Sequence, residues 1–164
     1  QKLYKHTKKI LMIKIDVFIK DKNWKRHVSN PVEYLNKKAK LINFKKGFIK
    51  AKKINLSVLL TGSKEIKFLN NKFRKKNKIT DVLSFPNHSP EQTKNKLKKN
   101  ESIYLGDIVL NYYEINKAKS DFKKEFNKLW VHGFLHLLGY KHFKNKDFYQ
   151  MKKMENKILK QIKC

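Results

Sequence analysis

Met12, Ile13, Ile15, Val17 and Ile19 alternate with Lys14, Asp16 and Lys20, the two-residue period of a strand that buries one face. Downstream the period changes. Val32, Leu35, Ala39 and Ile42 recur at helical spacing behind Ser29 and Asn30, two candidate caps, and behind Pro31, which suits a first helical turn. This predicts a helix over about 31–44. The β-rich run INLSVLLT (54–61) predicts a second strand. A TGS turn then leads into EIKFLNNKF, with Ser63 as the expected cap and Ile66, Leu69, Asn70 and Phe73 on one face. A basic knot, RKKNK (74–78), ends that helix. TDVLSFP (80–86) reads as a short strand stopped by Pro86, and IYLGDIVLN (103–111) as a fourth. Between them HSPEQTKNKLKKNES (88–102) is polar, lysine-rich and without period, which predicts an exposed loop. Helical spacing then holds to the end, over about 112–119, 122–138 (closed by Gly139) and 146–162.

Strands and helices alternate first, and helices take over later. That order predicts one sheet of about four strands with about five helices against it, in an α+β or mixed α/β arrangement, as a single domain over 12–163 with residues 1–11 as an extension. A chain of 164 residues can bury a core without staples. No segment approaches the ~20 consecutive apolar residues of a membrane span. The basic and then apolar start has the look of a secretory leader, but Lys14 and Asp16 interrupt the apolar run and no small-residue cleavage site follows. The one cysteine, Cys164, excludes an internal disulfide and a thiolate-built metal site, and a reducing cytoplasm is the compartment expected. Lys and Arg number 41 against 13 Asp and Glu, a net charge of +28 that attracts phosphate backbones and opposes cationic partners. A lysine-rich drift on exposed positions produces the same excess, so the charge speaks to association and not to chemistry.

Chemistry enters with HGFLHLLGYKH (132–142), which holds three of the six histidines. His132 and His136 are four apart, so on a helix they lie one above the other. Gly139 suits a left-handed helix end, after which the chain can turn His142 back toward the same point. Three imidazoles with an open fourth position are the ligand set of a catalytic zinc. Packing among Phe134, Leu135, Leu137 and Leu138 would give polar rings no other reason to cluster. The ligand offsets match those of HExxHxxGxxH zinc proteases, although the glycine falls one position later. Gly133, however, stands where those enzymes place the glutamate that serves as general base. His6, His27 and His88 show no ligand spacing with the cluster.

HGFLHLLGYKH closely resembles HGxLHLxGYDH, the signature of the YbeY family of bacterial endoribonucleases, which act in ribosomal RNA maturation. FRKKNKITDVLSFP (73–86) is similar to that family's YRxKxxxTDVLSFP, LGDIVL (105–110) to its LGDI strand, and MENKILKQI to its C-terminal helix. The segments occur in the family's order and cover most of 54–162.

The resemblance implies an α+β fold with a mixed sheet of about four strands and surrounding helices, and one zinc ion per chain, on the late central helix, bound by His132, His136 and His142. It also makes Arg74 the counterpart of the family's important arginine, so Arg74 and His136 are the residues expected to be indispensable for cleavage. A guanidinium suits that role, since it can fork onto phosphate oxygens and stabilise developing charge. The expected substrate is single-stranded RNA, ribosomal RNA above all. The ribosome or its proteins are the expected partners, with no membrane involved. Asp81 and Ser84 are further candidates to line the cleft, while Asp107 reads as structural. Lys141 replaces the family's aspartate before the last ligand, which leaves open whether an acceptor for an imidazole N–H has been lost. Two other readings remain: a metal-dependent hydrolase of another substrate such as peptide, which Gly133 opposes, and an RNA- or ribosome-binding module with a structural zinc.

Overall fold

A computed structural model describes residues 11–45, 47–118 and 121–163. Residues 1–10 of the expected extension, with His6, and Cys164 lie outside the described residues. Four strands, β1 (Met12–Ile19), β2 (Lys53–Thr61), β3 (Val82–Pro86) and β4 (Ser102–Asn111), form one mixed sheet in the order β1-β2-β4-β3. The first two and β4 run parallel, and β3 is an antiparallel edge strand on β4. Around the sheet lie α1 (Pro31–Lys40), α2 (Ser63–Arg74), α3 (Pro90–Leu97), α4 (Tyr112–Lys117), α5 (Phe122–Leu137) and α6 (Asn145–Gln161). The expected α+β class and four-strand mixed sheet are therefore present.

Strand alternation divides the interior in two. Ile54, Leu56, Val58 and Leu60 point into the main core with Trp24, Phe126, Trp130 and Phe134. Leu83 and Val109 face the other way, where Ile66 of α2 covers them together with Leu59 and Leu69. Hence α2 and α5 pack on opposite faces of the sheet beside its β3 edge, and this places their side chains around one edge. Asp121 starts α5 by accepting from the Lys123 N–H at 2.9 Å.

Three expectations need correction. The segment 88–102 is not a loop throughout, because α3 brings the helix number to six. Its start is a capping box, in which Ser89 accepts from the Gln92 N–H and the Gln92 side chain from the Ser89 N–H, with Pro90 at the first position. Thr93 and Leu97, four apart, are the buried face that the lysines obscured. Ser63 is not a cap either: Gly62 precedes the helix, and the Ser63 hydroxyl instead accepts from the Asn111 amide at 3.1 Å. Finally α1 stops at Lys40, where the Leu41 and Ile42 N–H groups turn to the carbonyls of Lys38 and Ala39, so Ile42 is buried from beyond the helix.

Candidate metal centre

His132 and His136 sit one turn apart on α5 with ring centroids 4.7 Å apart and their Nε2 atoms at 3.1 Å. The loop after the helix returns His142 to them, its ring 5.0 Å from that of His136 and 5.9 Å from that of His132. One ligating nitrogen from each of the three lies within 4.8 Å of the others, so the group could hold a metal ion. The return is built by the helix end. Gly139 takes φ +97°, its N–H donates to the His136 carbonyl and the Tyr140 N–H to the Leu135 carbonyl, both at 3.0 Å. These are the paired bonds of a Schellman motif.

That end also fixes a tautomer. The Tyr140 carbonyl lies 3.0 Å from His136 Nδ1. A carbonyl only accepts, so Nδ1 carries the proton and Nε2 presents a lone pair. At His132 the same task falls to Glu155, whose carboxylate lies 3.1 Å from Nδ1. Two acceptor ends then face each other at 3.1 Å. Such a pair repels unless a cation lies between, either a shared proton or a metal ion. Two nitrogens on a tetrahedral ion with bonds of about 2.0–2.1 Å stand about 3.3 Å apart, so the residues fit a metal of this kind. Burial is the main influence lowering the His136 pKa below its usual value, and the neighbouring His132, His142 and Arg74 charges push the same way against the Tyr140 bond. His136 accordingly stays neutral, as a ligand must, to more acidic pH than an ordinary histidine.

Glu155 escaped the sequence reading. Its side chain is only 5% exposed and also accepts from Lys152 Nζ at 2.6 Å. The signal was present, since 151, 155, 158 and 162 follow helical spacing and an acid occupies one place on that otherwise apolar face. The His132 hydrogen bond, helped by Lys152 against burial, lowers its pKa from 4.5 to about 2. A depressed carboxylate stabilises the fold fully above its unfolded pKa and loses that contribution as pH falls toward its folded one. Acid unfolding is therefore expected to steepen between about pH 4.5 and 2, and the Glu155→Gln variant should lack that limb in a pH-dependent denaturation series. The same variant should bind metal about 10–100-fold more weakly in chelator competition, because an amide orients the imidazole less strongly.

Arg74 ends α2 on one side of β3 and reaches round the edge strand, donating from Nη2 to the Ser84 carbonyl at 2.8 Å. Its guanidinium carbon also stands 5.6 Å from the centre of the Phe85 ring. The guanidinium is exposed, and its charge reaches His136. Ser84 is buried, its hydroxyl 3.4 Å from the Gly133 carbonyl. Asp81 accepts from the Val82 N–H at 2.7 Å and the Thr80 hydroxyl, as a turn cap does. Asp107 accepts from the Tyr104 hydroxyl at 2.6 Å. Lys141 is exposed, with Nζ 5.9 Å over the Phe143 ring, and the acceptors at His132 and His136 are Glu155 and the Tyr140 carbonyl. The spare rings go elsewhere: His27 stacks on Phe122 at 4.2 Å, and His88 lies beside Asn87.

Gly133 has a packing reason. A Cβ there would lie 2.9 Å from Ile108 Cγ2 and 3.1 Å from Ser84 Oγ, closer than α5 and the sheet allow. Position 133 thus faces the sheet and has no room for a carboxylate. Overpacking of this kind costs about 1–3 kcal/mol. Gly133→Glu is expected to melt several degrees below the parent protein and to gain no peptide cleavage, in a thermal scan and a peptidase assay.

Among the described residues no helix is long and apolar enough to cross a membrane. A family model described as Endoribonuclease YbeY matches residues 18–163. The Endoribonuclease YbeY of Pelagibacter ubique is 46% identical over 156 residues, covering 93% of this chain and 97% of its own length. That of Buchnera aphidicola subsp. Cinara cedri is 40% identical over 121 residues, 71% of this chain and 75% of its own. The solution structure of a Thermotoga maritima protein shares the fold with a TM-score of 0.53 at 24% identity, over 92% of this chain and 89% of the other.

Proposed function

Because the chain belongs to the YbeY endoribonuclease family, we propose that it cleaves single-stranded RNA, ribosomal RNA in particular, using one zinc ion held by His132, His136 and His142. The observation that carries the reading is the pair of Nε2 atoms facing at 3.1 Å, on rings whose Nδ1 atoms each meet an acceptor, beside a third imidazole. When bound, zinc supplies a hydroxide source near neutral pH and a Lewis acid for a phosphate oxygen.

The protein's own groups do the rest. Glu155 and the Tyr140 carbonyl hold two imidazoles in the ligating tautomer. The Arg74 guanidinium, steadied by the Ser84 carbonyl and the Phe85 face, keeps N–H groups for a phosphate and offsets charge that grows as the phosphodiester breaks. Surface lysines follow the rest of the backbone without reading sequence. The domain doing this spans 12–163, and the place of action is the cytoplasm, on ribosomal RNA and beside ribosomal proteins.

A peptidase is the weaker reading, since the position for its base is closed by packing at Gly133. The test is to offer the zinc-loaded protein a single-stranded RNA, a duplex of the same sequence and an unstructured peptide. Cleavage of the single strand well ahead of the other two is expected. Preferential cleavage of peptide, or none of RNA, would overturn the reading.

A further inference from the structure

The centre opens onto a concentration of bare aromatic rings. Phe143 is 82% exposed and Tyr149 71%, the highest values among the large apolar residues described, and Phe148 is 52% exposed. Three such rings in seven positions form a patch of the kind that marks a binding surface. Beside it a cavity of about 210 Å³ lies between α5 and α6. His132, His142 and Glu155 form part of its wall, Phe148 and Met151 another part, and the half-exposed Lys128 and Lys152 complete it. Since two of the three clustered histidines line this space, a chain threaded over the centre places one of its units there.

Charge narrows the choice of occupant. Lys128, Lys141 and Lys152 surround the patch, while Glu125 is already met by Lys128 at 3.8 Å and Glu155 by His132 and Lys152, and Asp147 is the remaining acid on the first turns of α6. A flat apolar group carried on a polyanion suits this combination. Unpaired nucleobases stack on aromatic faces while their phosphates meet cations.

We propose that the cavity receives the unpaired base of a nucleotide next to the cleaved phosphate, stacked on the Phe148 ring. This rests on the ribonuclease reading and deepens it, because a base held in a duplex cannot enter, so single-strand preference is built in here.

The zinc-loaded protein and its Phe148→Ala, Phe148→Leu and Phe148→Trp variants would be titrated with two labelled probes, a short oligodeoxyadenylate and an abasic strand of equal length. RNA cleavage by the parent protein and circular dichroism of all four proteins would be followed in parallel. Phe148→Ala and Phe148→Leu are expected to bind oligodeoxyadenylate about 5- to 100-fold more weakly, with Phe148→Trp restoring it. Abasic binding and the salt dependence should stay unchanged, since no phosphate contact is removed. Unchanged oligodeoxyadenylate binding by Phe148→Ala would overturn the subsite. So would equal weakening for both probes, or full rescue by leucine, which would mark an apolar cover such as a protein-docking patch. If the parent protein cleaves RNA in those cases, only the subsite falls. If it neither cleaves RNA nor binds either probe, the ribonuclease reading falls and takes the subsite with it.

Discussion

Replacing His136 with alanine is expected to lower zinc affinity at least about 100-fold and to bring RNA cleavage to background. The bound follows from comparison with outer partners, whose loss alone costs about 10–100-fold. His136 is the ring that joins the three, since its centre lies within 5.0 Å of both others while His132 and His142 are 5.9 Å apart. Its removal breaks the facing Nε2 pair and leaves the Tyr140 carbonyl without its donor, a local loss of about 1 kcal/mol. Folding should survive, because the main core under α5 is made by Phe126, Trp130 and Phe134. Chelator competition and a thermal melt on the same preparation separate the two effects. Retained zinc affinity would mean that the cluster is not the metal site.

Arg74→Ala is expected to reduce the cleavage rate about 10²–10³-fold while zinc content stays at the parent level. Loss of one preorganised charge-stabilising donor has that size in other active sites. The residue lies outside the histidine group and on a different helix, so the metal has no reason to leave. Arg74→Lys keeps the charge but not the fork and should fall between. The fall should appear in kcat rather than only in KM, because the interaction strengthens as charge develops. A rise in KM alone would make Arg74 a general phosphate contact like the neighbouring lysines.

Much of this was legible in the sequence. Alternation in β1, the β-rich run of β2 and helical spacing around α5 located the elements. The offsets within 132–142 announced the histidine group, because helical pitch and a left-handed glycine fix where three rings can meet. What was not legible depends on long-range packing or on backbone groups. The Tyr140 carbonyl that sets the His136 tautomer belongs to a helix end and has no side-chain signature. Glu155 is brought to His132 across 23 positions by the packing of α6 on α5, and the lysines of α6 masked the face it shares with Met151 and Ile158. The lysines of 88–102 likewise hid α3, although Ser89, Pro90 and Gln92 carried its start signal. Gly133 was read through the base it does not supply, while its neighbours Ile108 and Ser84 give the physical reason that only a glycine fits.

The central claim, that the three histidines hold a zinc ion that drives RNA cleavage, is tested most directly by titrating zinc into metal-stripped protein while following the cleavage rate. The rate should rise from background and level off at one zinc per chain, and His136→Ala should remain at background throughout. A parent protein that cleaves as fast without zinc, or a variant that cleaves equally, would contradict the account.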